Sequence, residues 1–311
     1  MKRGFIYKNE KTSKFWWIDY GECCFAVGYG KCGSVGTFLV KEFGTEEECR
    51  KEAEKLVRSK IRKGYVEDDD FDFVNRLYID NYDFGLSPKT SNPRFVEHFT
   101  DELYYSEYEE FGPFGSDEGS DTLAAIYGRI RKNPDFDFES FPRKFVEDSC
   151  GMKYIPAGSI DAEKLKELAP GRNVCAEGGT ILPEDMKRMA ANMVETLRML
   201  ENDSFPKERV EEEIDITLAQ MGVSRDELLD YKSDGNGDAD VMTEMDVVQS
   251  DIVTYATAFA QIKITGSVSA GLKEHGINAI KELSLIDGLP WTEDEVRTRM
   301  VEDLQSFSFT V

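Results

Sequence analysis

The chain has 311 residues, 40% of them hydrophobic and 12% aromatic, which is enough to bury a sizeable core and excludes global disorder. Its 38 Lys/Arg against 61 Asp/Glu leave a formal net charge of −23, which excludes a chain that binds nucleic acid along its whole surface. No apolar run approaches the ~18 residues of a membrane-spanning helix, so no membrane partner is expected.

The opening MKRGFIYKNEK has charges on both sides of a short apolar stretch and does not read as a secretory signal. Six cysteines without a C-x-x-C pair, and only two histidines, His98 and His275, argue against a disulfide framework or a zinc site. A reducing cytoplasm is the expected compartment. The charge is uneven. Residues 1–65 hold 14 Lys/Arg and 9 Asp/Glu, a balance of +5, while the remainder holds 24 and 52, a balance of −28. A small basic unit is joined to a large acidic one, and only the first could neutralise phosphates.

In chain order, Phe15, Trp16, Trp17, Ile18 and Tyr20 form an aromatic, β-rich run. Trp16 and Trp17 fall on alternate faces of that strand, so at least one is core. A turn at Gly21-Glu22 leads to a second strand at 23–27, which the glycines of Tyr29-Gly30-Lys31-Cys32-Gly33 break. A third strand follows at 37–43. A helix then starts at Thr45, a good N-cap, with Glu48 at the capping-box position. Cys49, Ala53, Leu56, Val57 and Ile61 give it an apolar stripe, and Arg58, Lys60, Arg62 and Lys63 crowd its last turn, where the helix dipole favours cations. Gly28-Tyr29-Gly30-Lys31-Cys32-Gly33 also matches G-x-G-x-x-G. A dinucleotide turn needs a helix directly after the glycines, and here a strand follows, so no nucleotide cofactor is expected.

The run SKFWWIDY, the second strand, YGKCGSVGT and the EFGTEEECRKEAEKLVRSKIRKGYV segment together resemble a WGR domain. The resemblance covers residues 1–67 and implies a small antiparallel sheet with one packed helix. WGR domains occur in poly(ADP-ribose) polymerases, where they contact DNA near a break, and in bacterial proteins. Here Tyr29-Gly30-Lys31 stands at the signature tripeptide, with Tyr for Trp and Lys for Arg. The resemblance therefore implies a nucleic-acid interface, at DNA ends or nicks, from Tyr29, Gly30 and Lys31 with Lys14, Lys11 and Trp16 nearby. Tyr29 would stack and Lys31 would meet a phosphate as a point charge. The same residues read equally as hairpin structure and surface in a protein-interaction platform.

Residues 68–115 form an acidic, aromatic-rich connector, with one strand predicted at 76–79. Residues 116–311 read as an acidic, mostly α-helical domain. Helices are predicted at 121–132, 160–168, 183–202, 206–221, 224–231, 240–265, 268–286 and 292–304, the first of them N-capped by Ser120. The 240–265 helix has few charges at its centre and is expected to be the buried one. Met186, Met189, Met193, Leu197 and Leu200 stripe the 183–202 helix and read as core. The segment from Phe111 to Asp121 is similar to the opening of an uncharacterised bacterial helical domain, a resemblance extending over residues 111–221. Asp234, Asn236, Asp238 and Asp240 space oxygens as a calcium loop does, but Ala239 and Met245 stand where an EF-hand needs Gly and Glu, so an ordinary loop is expected.

The expected architecture is α+β: a WGR-like sheet and helix, followed by a helical domain. No P-loop, G-x-S-x-G or H-E-x-x-H is present, and no ADP-ribosyltransferase domain, so a non-enzymatic binding protein is expected, without cofactor or metal. The alternative is an adaptor or immunity-like protein whose acidic helical domain binds a basic protein partner.

Overall fold

The computed structural model describes residues 1–110, 112–168, 187, 190, 193–194, 197–198, 206–230, 244–286 and 294–311. The chain begins with a five-stranded antiparallel sheet in the order β4-β3-β2-β1-β5. Its strands are β1 (Lys2–Lys8), β2 (Ser13–Gly21), β3 (Cys24–Lys31), β4 (Thr37–Glu42) and β5 (Val66–Glu67). Neither β1 nor β5 is among the predicted strands. Lys2, Arg3 and Lys8 hide the apolar alternation of β1, yet Phe5 in it is wholly buried. Its charges are cross-strand partners: Lys2 Nζ lies 3.6 Å from Asp19 Oδ2 and Arg3 Nη2 lies 2.5 Å from Glu67 Oε2.

Helix α1 (Glu46–Arg62) starts where expected, with Thr45 Oγ1 accepting from Glu48 N at 3.2 Å. Cys49, Ala53 and Val57 bury against Phe5, Trp16, Ile18, Tyr20, Phe25 and Val27. Ile61, expected in that stripe, is exposed, because Lys60, one position round the helix, faces the sheet over Trp16 and Tyr29. The other face of the sheet is also covered. Trp17 meets Phe38, Phe73 and Tyr78 at ring-centroid distances of 5.7, 6.5 and 5.8 Å. Every residue from Phe15 to Tyr20 is buried, and two-sided coverage is what lets apolar residues run on without polar alternation. The connector can cross β1 because Gly4 has no side chain: a Cβ there would lie 2.0 Å from Phe71 Cγ.

The connector carries two short helical turns, Pro88–Thr90 and Glu102–Tyr105, around helix α2 (Pro93–His98). The strand expected at 76–79 is absent. Tyr78 N instead donates to Ile264 O at 3.0 Å, and Asn92 N to Lys263 O at 2.8 Å. These carbonyls lie in the last turn of a helix and have no partner within it, so the connector caps the helix rather than joining the sheet.

Helix α3 (Asp117–Ile130) is N-capped by Ser116, whose Oγ accepts from Gly119 N at 3.1 Å, and not by Ser120. Helices α4 (Phe141–Asp148) and α5 (Ala162–Leu168) follow. Lys207–Met221 is α6, Arg225–Asp230 α7, Glu244–Thr265 α8, Ala270–Leu283 α9 and Asp294–Ser306 α10. As expected, α8 is the central helix, buried from Asp246 to Ile264. It packs against α2, α3, α4 and α9.

Packing groups the chain differently from the sequence boundaries. Met1–Glu167 and Glu244–Val311 form one compact unit, and Leu168–Thr243 another. In the second unit, Ala190, Val194, Val210, Ile214, Leu218 and Val223 form a small core with Leu197 packed on it. Met193, expected in the core, is 48% exposed. The inward face of its helical segment is centred on Ala190, Val194 and Leu197, one position round. Met186, Met189, Leu200 and the calcium-loop candidates Asp234, Asn236, Asp238 and Asp240 lie outside the described residues. Among the described residues no helix is long and apolar enough to cross a membrane.

Candidate nucleic-acid interface

Strand β3 continues through Tyr29-Gly30-Lys31, so the signature tripeptide is strand rather than turn, and the loop to β4 begins after it. Register then assembles the site. Tyr7 stands opposite Lys14, Lys14 opposite Lys31, and Trp16 opposite Tyr29. All five share the α1 side of the sheet, since Phe5, Trp16 and Tyr29 pack with α1 and side chains alternate along each strand. Gly30 lies where the β3–β4 loop folds back: a Cβ would sit 2.8 Å from Gly36 Cα. Its part in the site is close backbone packing.

The end of α1 completes the arrangement. Tyr65 N donates to Lys60 O at 3.2 Å, which folds the chain back after the helix. The Lys60 ammonium then lies 5.2 Å from the Trp16 ring centroid, 5.5 Å from Tyr29 and 5.3 Å from Tyr65. Burial among these rings, then the neighbouring Lys63 charge, pulls its pKa below the usual lysine range. Tyr7 packs on Tyr65 at 5.4 Å. Lys11 sits in the β1–β2 turn, ordered by Asn9 Oδ1 accepting from Lys11 N and Thr12 N at 3.0 and 2.9 Å. Cys32 N donates to Ser13 O at 3.0 Å, which ties the end of β3 to the same end of the sheet.

The sheet thus brings Lys11, Lys14, Lys31 and Tyr29 together at one end. Lys14 and Lys31 are exposed, and among the described residues neither has an acidic partner within 4.0 Å. Like charges directly opposite across a sheet are destabilising, a cost that a bound anion would relieve. Trp16 is 2% exposed, so its ring packs under Lys60 and presents no free face. Tyr29 is half-buried with Lys60 over its ring, so only part of it is open to a ligand. Lys60, Tyr65 and Tyr7 are site residues the sequence reading did not single out. The one available signal was the basic last turn of α1 running into Gly64-Tyr65.

Neither histidine forms a site. His98 Nε2 lies 2.7 Å from Asp303 O, between the Phe99 and Phe307 rings, and His275 is exposed. Among the described residues, no group of three or more His, Cys, Asp and Glu could hold a metal ion.

A family model of the WGR domain, a nucleic-acid-binding type of domain, matches residues 2–72. The uncharacterized protein YfeS of Escherichia coli is 37% identical over 311 residues, covering 99% of this chain and 98% of that protein. Protein YehF of Escherichia coli is 35% identical over 65 residues, covering 21% of this chain and 24% of its own. A crystal structure of a Bacteroides fragilis protein is 27% identical and covers 45% of this chain and 43% of its own, with a TM-score of 0.22, too low to bear on the fold. The match to YfeS extends over nearly the whole of both chains, so the chain belongs to the YfeS family, with a WGR domain at residues 2–72.

Proposed function

We propose that this protein binds nucleic acid, at DNA ends or nicks, through the lysine-rich end of its WGR sheet, and that it is not an enzyme. The observation that carries this reading is the Lys14–Lys31 pair, two exposed ammonium groups in register with no acidic partner among the described residues. They lie in the one basic segment of a chain whose remainder carries a balance of −28. Lys14, Lys31 and Lys11 meet phosphates as point charges, and the open part of Tyr29 stacks on a sugar or base. Lys60 adds positive potential from behind the ring. The acidic remainder repels nucleic acid and so confines it to this end.

The test is fluorescence anisotropy of the full chain with labelled nicked, blunt and single-stranded DNA over a range of salt. Lys31→Ala and Lys14→Ala should each weaken binding and lower the salt slope by about one. An unchanged slope removes that lysine from the interface. Absence of binding at low salt, where phosphate attraction is strongest, overturns the reading.

A second reading rests on Tyr82 and Tyr108, exposed at 96% and 92% beside the exposed acids Asp83 and Glu107. Carboxylates with open rings suit the Arg or Lys side chains of a basic protein partner. Reversing Asp83 and Glu107 to Lys should abolish that association and leave the anisotropy titration unchanged.

A further inference from the structure

The sheet face turned away from α1 holds a concavity of about 290 Å³ between the β3–β4 loop and the start of the connector. Phe15, Trp17, Ser34, Asp72, Asn75 and Arg76 line it. Arg76 is its central feature. Its guanidinium carbon lies 4.4 Å from the Phe15 ring centroid and 4.1 Å from that of Phe71. Nε donates to Asp72 O at 2.8 Å. Neither Nη nitrogen has a hydrogen-bond acceptor among the described residues, and no carboxylate lies within 4.0 Å of them.

The Asp72 carboxylate is engaged elsewhere. It accepts from Val74 N, Asn75 N and Asn75 Nδ2, each at 2.9 Å, and these bonds hold its pKa below the usual carboxylate range. Arg76 is therefore a cation partly withdrawn from water without an ion-pair partner, and burial pulls its pKa down. Such a group gains from an opposite charge brought to it. The guanidinium carbon lies over both rings, and Asp72 O takes Nε. What remains is the edge that carries both Nη groups, whose parallel N–H bonds match the two oxygens of a carboxylate or phosphate. The rings also fix the fork before anything binds, which lowers the ordering cost of association. Behind it, Phe15, Trp17 and Phe38 make an apolar floor, all at least nine-tenths buried.

We propose that this concavity is a binding site for a small oxyanion, held in bidentate fashion by the two Nη groups of Arg76. It is independent of the nucleic-acid reading, because the lysine patch lies on the opposite face of the sheet. The shared chemistry is the oxyanion, and benzoate and phenyl phosphate as separate probes distinguish a carboxylate source from a phosphate source.

The experiment is calorimetric titration of the full chain with each probe, followed in parallel by tryptophan fluorescence, since Trp17 lines the cavity. Saturable one-to-one binding of either probe, with a fluorescence change, is expected. Arg76→Met keeps a stem between the two rings and removes the fork, and should weaken binding at least about tenfold. Arg76→Lys keeps the charge without the fork and should lose nearly as much, while both variants, somewhat destabilised by the lost ring contacts, still unfold in one cooperative transition above the titration temperature. Lys31→Ala should bind both probes as the wild type does, so the fate of the DNA titration does not decide this one. No saturation by about 10 mM of either probe, or wild-type affinity in Arg76→Met or Arg76→Lys, overturns the proposal.

Discussion

Removing either partner of the buried Asp80–Lys263 ion pair tests how the connector is locked to the central helix. Lys263 is wholly buried in α8, and its Nζ lies 3.1 and 3.0 Å from the two Asp80 oxygens, with a further bond to Ser91 Oγ. Asp80 also accepts from Tyr127 OH at 2.6 Å, from Ser87 N at 3.3 Å and from Thr90 Oγ1. Breaking a buried pair costs about 3–5 kcal/mol, because the survivor keeps its charge without its counter-charge. The two survivors differ. In Lys263→Met, Asp80 keeps three donors, so the loss should be near 3 kcal/mol. In Asp80→Leu, the lysine keeps one hydroxyl, so the loss should approach 5 kcal/mol or be lessened only by deprotonation, towards which burial already pushes it. The double variant Asp80→Leu/Lys263→Met strands no charge and should be less destabilised than the sum of the singles by at least about 2 kcal/mol. Urea denaturation of the four proteins, followed by near-ultraviolet circular dichroism, closes the cycle. Additive losses, or a loss under about 1 kcal/mol for Asp80→Leu, would refute the reasoning.

Three further outcomes follow from the packing. Asp251 on α8 is 1% exposed, and neither of its carboxylate oxygens has a donor. Burial, and then the nearby Glu282 charge, raises its pKa well above the usual value. The native state therefore holds this proton more tightly than the unfolded chain. Its contribution is fully present below about pH 4 and is lost as pH rises towards the raised native value, by at most about 1.4 kcal/mol per pH unit. Asp251→Asn should flatten this part of the pH–stability curve and gain on the wild type from pH 4 to 7; parallel curves would contradict it. Lys60→Met removes the ammonium from among Trp16, Tyr29 and Tyr65 and should cost about 0.5–2 kcal/mol in a thermal melt, with weaker DNA binding at low salt. Thr45→Ala should cost about 1 kcal/mol, measurable by denaturation, because Glu48 N loses its acceptor at the start of α1.

Local features were legible wherever short-range chemistry decides them. The aromatic, β-rich run of Phe15, Trp16, Trp17, Ile18 and Tyr20 announced a strand, and both its tryptophans proved to be core because both faces of the sheet are covered. Thr45 marked the first residue of α1, and the few charges of 240–265 marked the buried helix. The tripeptide at 29–31 points to the proposed interface, but its glycines suggest a break where the strand continues, since glycine content alone does not distinguish a turn from a strand that another backbone approaches closely.

What the sequence by itself determined was thus the α+β order, the WGR domain and the basic balance of the first 65 residues. These depend on neighbours within a few positions, or on composition. Tertiary structure alone decided which charges are buried and which are free. Lys263 reads as an ordinary helix-end lysine until it meets Asp80, 183 positions away. Lys14 and Lys31 become a pair only through register, and Lys60 joins them only because α1 packs across the sheet. Arg76 is an unremarkable connector residue until Phe15 and Phe71, from strand and connector, fix its fork. Electrostatic free energy depends on through-space distance and burial, and neither is a property of local sequence.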